Sequence, residues 1–154
     1  MDVLGIDHLD LTVTRLARSI SFYEAVLGAL GFVRVAHPTY TAWSNGKMTI
    51  GLREASDAER DVPFDRGRAG LHHVSLRVVA RSDVDRFHEF LLARGYDVLD
   101  APQAYPVYGP DYYAVFFADP DGIKLEVVHF PWGFWRRVQT DGHDPRPRHP
   151  RTVP

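Results

Sequence analysis

Two hydrophobic patterns run along the chain, and each occurs twice. His8-Leu9-Asp10-Leu11-Thr12-Val13 puts an apolar side chain at every second position, and the pattern returns 65 residues later as His73-Val74-Ser75-Leu76-Arg77-Val78. Strict alternation of this kind marks a half-buried strand. The same offset matches Phe22 with Phe87, Glu24 with Glu89 and Leu27 with Leu92, and after a one-residue slip Gly31-Phe32 meets Gly95-Tyr96. Here the apolar spacing is helical, predicting helices over residues 16–30 and 84–94 that end at glycines suited to the left-handed position. Ser19 and Ser82 are the candidate N-caps.

Three strands are predicted after each helix: residues 32–37, 39–43 and 47–53 in the first half, and 96–99, 112–117 and 123–129 in the second. Ser44-Asn45-Gly46 and Asp119-Pro120-Asp121-Gly122 supply turns. The expected fold class is therefore α+β, with two tandem βαβββ modules at about 3–55 and 70–130 in a single domain over residues 1–140. A charged linker containing Pro63 covers 56–69, and residues 141–154, with four prolines and no periodicity, are expected to form a disordered tail. His143 and His149 fall in that tail.

Period two also sorts side chains by face. Leu9, Leu11 and Val13 share a face, as do Met48, Ile50 and Leu52, then Val74, Leu76 and Val78, then Ile123, Leu125 and Val127. These faces are expected to pack under the helices. The opposite faces carry His8, Asp10 and Thr12; Thr49, Gly51 and Arg53; His73, Ser75 and Arg77; Lys124 and Glu126. Parity directs His72 away from His73, and His129 away from Glu126. His8, His73 and Glu126 remain, two imidazoles and one carboxylate, a donor set suited to a divalent metal with positions open to substrate and water. Aligning Met48-Thr49-Ile50-Gly51-Leu52 on Ile123-Lys124-Leu125-Glu126-Val127 puts Gly51 opposite Glu126, so no fourth protein ligand is expected.

Composition narrows the chemistry. The chain has 154 residues, which fits one domain, and no cysteine, so disulfides, thiolate catalysis and sulfur-ligated metals are excluded. Eighteen Lys and Arg against 20 Asp and Glu give a net charge of -2, which provides no field for nucleic acid or an anionic membrane. No apolar run is long enough for a membrane span, and the N-terminus lacks a signal sequence, so a cytoplasmic location is expected.

Several segments together resemble the vicinal oxygen chelate superfamily, the glyoxalase, bleomycin-resistance protein and extradiol dioxygenase group. They are Ile6-Asp7-His8-Leu9-Asp10-Leu11-Thr12-Val13, Phe22-Tyr23 with Leu27-Gly28 and Gly31-Phe32, Gly70-Leu71-His72-His73-Val74-Ser75-Leu76, and Phe117-Ala118-Asp119-Pro120-Asp121-Gly122-Ile123-Lys124-Leu125-Glu126. The resemblance implies a U-shaped, partly open eight-stranded sheet, frequent homodimerisation, and metal binding by His8, His73 and Glu126, with Glu126 also catalytic. The implied cofactor is a divalent ion, Zn, Mn, Ni or Fe(II). It would hold a small substrate through vicinal oxygens and stabilise an enolate or oxyanion.

The chain departs from each familiar branch. Glyoxalase I and methylmalonyl-CoA epimerase use a fourth ligand where Gly51 stands. Extradiol dioxygenases and fosfomycin-modifying transferases favour a tyrosine where Phe116 stands; the former also keep a histidine about 15 residues before His73, and the latter an arginine at the place of Trp135. The reading is a metal-dependent lyase or isomerase in the broad sense. The alternatives are a metal-free small-molecule binding or antibiotic-sequestering protein and an extradiol-type dioxygenase.

Arg53, Arg77, Asp10, Ser75 and Phe116 are the candidate substrate-contacting residues. Arg53 and Arg77 either bind a substrate carboxylate or are solvated at strand ends, and Asp10 and Ser75 either support the histidines or merely line the face. The tyrosines between Tyr105 and Tyr113 either roof a cleft or pack in the core. Trp132, Phe134 and Trp135 read first as packing or dimer contacts.

Overall fold

The structure, a computed structural model, describes residues 3–131. Trp132, Phe134, Trp135 and the expected tail lie outside them. The elements are β1 (His8–Val13), α1 (Leu16–Ala29), β2 (Val33–Arg34), β3 (Thr41–Ser44), β4 (Thr49–Glu54), β5 (Val74–Val78), α2 (Arg81–Ala93), β6 (Val98–Ala104), a short 3₁₀ turn (Pro106–Tyr108), β7 (Tyr113–Ala118) and β8 (Lys124–His129). This is an α+β chain of two βαβββ modules. The strands form two four-stranded sheets of matching order, β1-β4-β3-β2 and β5-β8-β7-β6, each with one parallel pair, β1 with β4 and β5 with β8. Among the described residues no helix is long and apolar enough to cross a membrane.

The chain divides into two compact units. Among the described residues, the first runs to Arg68 and takes in Asp119–Ile123; the second holds Ala69–Ala118 and residues 124–131. In the first unit α1 covers the sheet with Phe22, Tyr23, Val26 and Leu27, which meet Trp43, Ile50 and Leu52 in the core. The indole Nε1–H of Trp43 donates to Glu24 Oε2 at 2.9 Å, so the one polar atom of that buried ring is satisfied. Within this unit the Asp119–Ile123 turn is pinned by side chains: Asp119 Oδ1 accepts the Asp121 and Ile123 amides at 2.9 and 2.8 Å, and Oδ2 accepts the Tyr23 hydroxyl at 3.0 Å. Asp121 accepts the Thr14 amide at 2.7 Å and also bonds the Thr14 hydroxyl and Arg18. In the second unit α2 packs Val84, Phe87 and Leu91 against its sheet, with Phe87 and Phe117 ring centroids 5.5 Å apart.

Both helices end as the glycines predict. Gly31 and Gly95 have φ of +82° and +64°, and the next residue's amide reaches back to the last turn, Phe32 to Leu27 at 2.9 Å and Tyr96 to Leu91 at 3.0 Å. The starts differ from expectation. Ser19 lies inside α1 and is buried; Arg15 stands at the N-cap, and Glu54 Oε1 accepts the Leu16 amide at 3.3 Å. Ser82 lies inside α2, whose N-cap is Ala80; the Asp83 carboxylate instead reaches back to the Ala80 amide at 2.8 Å.

Strand lengths differ too. β2 keeps only two residues of the expected 32–37, because Pro38, which has no amide proton, stops the ladder just beyond the Val35 amide's bond to Ala42. β6 runs past Pro102 because it is the outer strand of its sheet, where a missing donor costs no inner hydrogen bond.

Candidate functional site

In the second unit β8 lies between β5 and β7, and Glu126 pairs with Ser75 on one side and Phe116 on the other. The central position buries the carboxylate almost completely, at 1% exposure. Tyr112, the residue before β7, donates its hydroxyl to Glu126 Oε1 at 2.6 Å. Oε2 has no hydrogen-bond partner, although His73 Nε2 stands 3.3 Å from it. The surround is aromatic: Ala114, Phe116, Val128 and Phe130 form a buried cluster on this face, with Tyr105 and Tyr112 against it. This face is therefore mixed: Ser75 and Glu126 lie beside Ala114 and Phe116 of β7, a strand whose faces the alternation did not assign.

These surroundings shift the neighbouring groups. Burial lowers the pKa of His73 below its ordinary value, outweighing the attraction of Glu126. Burial also raises the Tyr112 hydroxyl strongly, reinforced by its bond to Glu126, while Ser75 makes an opposing hydrogen bond to it. Tyr112 is thus a fixed hydrogen-bond donor at neutral pH.

His72 does not point away from His73; the two Nδ1 atoms are 2.7 Å apart. Parity fails because β5 begins only at Val74, leaving both histidines in the preceding coil. His129 ends β8 on the face opposite Glu126, with a buried Nδ1 that no hydrogen bond satisfies. Phe116 is buried in the aromatic cluster, with the Lys124 ammonium 3.8 Å from its ring centroid. Arg77 is exposed and lies over the Phe130 ring at 5.8 Å.

In the first unit His8 is exposed, and its Nδ1 is 2.9 Å from Asp7 Oδ2, a contact that raises its pKa. Asp10 accepts the Tyr40 hydroxyl at 2.6 Å on Oδ1 and Arg53 Nε at 3.0 Å on Oδ2. The Tyr40 bond and Arg53 hold the Asp10 carboxyl below the ordinary range, while the same bond raises the Tyr40 hydroxyl. Asp10 pairs with Gly51 across β1 and β4. A Cβ at Gly51 would collide with Asp10 Oδ1 and the Tyr40 hydroxyl. The place of a fourth ligand is filled by this bonded pair. Asp10, Tyr40 and Arg53 line an open cleft of about 470 Å³ together with Asp7, His8, His37, Thr39 and Thr49.

Among the described residues no three His, Asp or Glu side chains gather closely enough to hold a metal. Of the expected set, His73 and Glu126 lie together in the second unit, and His8 belongs to the first. Tyr40 and Tyr112, which donate hydrogen bonds to the two carboxylates, have no role assigned by the sequence pattern.

A model of the Glyoxalase/Bleomycin resistance protein/Dioxygenase superfamily matches residues 5–127, so the chain belongs to that superfamily. It is 33% identical over 128 residues to the uncharacterized protein YqjT of Bacillus subtilis (strain 168), covering 79% of this chain and 95% of that one. It is 29% identical over 126 residues to the metallothiol transferase FosB of Lysinibacillus sphaericus (strain C3-41), covering 82% of each. The crystal structure of a glyoxylase/bleomycin resistance protein/dioxygenase domain from Frankia sp. EAN1pec superposes with a TM-score of 0.67 at 28% identity, covering 88% of this chain and 98% of that one.

Proposed function

We propose that the chain is a divalent-metal-dependent enzyme that binds a small substrate through two neighbouring oxygens, a lyase or isomerase in the broad sense. One observation carries this reading. Glu126 is buried, Tyr112 satisfies one of its oxygens, and the other faces only the nitrogen of a histidine that burial keeps neutral. An uncompensated buried carboxylate costs several kcal/mol. A carboxylate oxygen and a neutral imidazole nitrogen are together a donor pair for a zinc, manganese, nickel or iron(II) ion. His8 is proposed as the third ligand on its sequence equivalence to His73.

Such an ion, when bound, supplies Lewis acidity to an enolate or oxyanion of the substrate. The chain's own residues do the rest. Tyr112 keeps Oε1 engaged and so fixes which oxygen of Glu126 is free, and the wall of Phe116, Phe130 and Tyr105 keeps water from the carboxylate. The metallothiol transferase FosB relative supports the metal-dependent part of this reading. Phe116 in place of a tyrosine weighs against extradiol-type ring cleavage.

Elemental analysis of untagged protein purified without chelator tests the reading. About one divalent ion per chain is expected, with loss in Glu126→Gln and in His8→Ala. No metal, and no uptake on titration at about micromolar concentration, would replace it with a metal-free binding protein.

A further inference from the structure

The cleft of the first unit has a chemistry of its own. Its floor is the chain Tyr40 hydroxyl to Asp10 to Arg53, in which both carboxylate oxygens are engaged. Arg53 gives only Nε to that bond, and its side chain is 64% exposed in the cleft wall. Its two terminal amino groups remain as donors. The Arg53 guanidinium also lies over the Tyr40 ring at 5.7 Å, a cation–π contact that adds to its bond with Asp10.

A substrate carboxylate is a poor match to this arrangement. The guanidinium charge is already balanced by Asp10, and Asp7 adds a second carboxylate to the lining. An incoming anion would face two carboxylates against one guanidinium, with the His8 and His37 imidazoles as the other titratable groups of the lining, so the cleft offers no clear excess of positive charge. A neutral hydroxyl meets no such opposition. It accepts from Arg53 and donates to Asp10 or Asp7 at once, and a molecule with several adjacent hydroxyls repeats that exchange along the cleft, with Thr39 and Thr49 as further partners. The volume of about 470 Å³ lies in the usual range for small-molecule sites.

We propose that the Asp10–Tyr40–Arg53 cleft binds a small neutral polyhydroxylated molecule, with Tyr40 as the residue that fixes Asp10 for it. From the functional reading above this takes only the requirement that the substrate carry neighbouring oxygens; binding in the cleft does not depend on a metal. Gly51 is part of the site, because any side chain there would displace the Tyr40–Asp10 bond.

The test is NMR titration of the metal-free full chain, with myo-inositol as the neutral probe and glucuronate as a probe that adds a carboxylate. The Gly51 amide and Arg53 Nε–H resonances report the cleft, and the Trp43 indole N–H, bonded to Glu24, reports the fold. Inositol is expected to shift the two cleft resonances saturably and glucuronate to bind about tenfold more weakly or not at all. Tyr40→Phe and Asp10→Asn, with the Trp43 resonance in place, should each weaken inositol by about tenfold. Because the titration is run on metal-free protein, a saturable inositol shift stands whether or not the chain binds a metal, which separates this result from failure of the metal reading. The proposal is overturned by equal or tighter binding of glucuronate, by no shift up to about 100 mM inositol, or by titrations unaffected in both cleft variants.

Discussion

The Tyr112 hydroxyl donates a 2.6 Å hydrogen bond to the buried Glu126 carboxylate. Its counterpart in the first unit is the Tyr40 bond to Asp10, also 2.6 Å. Each tyrosine immediately precedes a strand, Tyr112 before β7 and Tyr40 before β3. The carboxylates sit on different strands of equivalent pairs, since Asp10 of β1 faces Gly51 of β4 while Glu126 of β8 faces Ser75 of β5. Both half-sites thus carry a tyrosine–carboxylate bond, with the acid on β1 in one and on β8 in the other.

Removing the Tyr112 hydroxyl leaves a buried carboxylate oxygen without its donor. Tyr112→Phe is expected to cost about 1–3 kcal/mol in stability and to weaken metal binding by about tenfold to a hundredfold. Denaturant melts and a competition titration with a zinc indicator measure the two effects. An unchanged metal affinity would remove Tyr112 from the site.

Among the histidines, the order of effects is informative. Glu126→Gln and His73→Ala are expected to reduce metal binding most. His72→Ala should have a smaller effect, through its 2.7 Å contact with His73, and His129→Ala none on the metal. Equal losses at all four positions would refute the placement of the site on the Glu126 face of β8.

Gly51→Ala places a methyl group against Asp10 and Tyr40. It is expected to destabilise the chain by about 1–3 kcal/mol, and by less in a Tyr40→Phe, Asp10→Ala background. A double-mutant cycle on thermal or denaturant unfolding gives the coupling; additive effects would show that the collision relaxes at no cost.

The two site histidines should titrate on opposite sides of 6.5. His8 gains a partner in Asp7, so its folded pKa is raised, and the stability from that contact is present below 6.5 and lost as pH rises through the folded value. His73 is depressed by burial, so the folded state is favoured above 6.5 and weakened as pH falls through the folded value. Ring-proton NMR of the metal-free protein resolves both. Asp7→Asn should return His8 to about 6.5, and a wild-type His8 at or below that value contradicts the contact.

Homodimerisation is proposed on the exposed apolar residues Val33 of β2 and Leu99 of β6, each on the outer strand of its sheet. Sedimentation on the order of tens of micromolar should show a dimer, and a monomer refutes it. A dimer that survives Trp132→Ala with Trp135→Ala excludes the segment after β8 as the main contact.

The repeat made the modules legible because it fixes helix ends and strand faces together: Gly31 and Gly95 occupy the same left-handed position, and Glu126 falls on the face opposite Leu125 and Val127 by parity. The bonds of the tyrosines were not legible: Tyr40 and Tyr112 fall inside the predicted strands 39–43 and 112–117, but stand in coil just before β3 and β7, where alternation does not set their direction. His72 was misplaced for the same reason. Parity puts Arg53 and Asp10 on like faces of their strands, but their pairing depends on the parallel register of β1 and β4, which no local pattern encodes.

The crowding around Gly51 also constrains how such a chain can change over generations. A carboxylate at position 51 collides with the Asp10 carboxylate and the Tyr40 hydroxyl where they now stand, so the substitution requires those side chains to swing aside and gives up their bond. A mutagenesis library aimed at a fourth metal ligand should therefore vary 10 and 40 first, since variants altered at 51 alone begin from a collision.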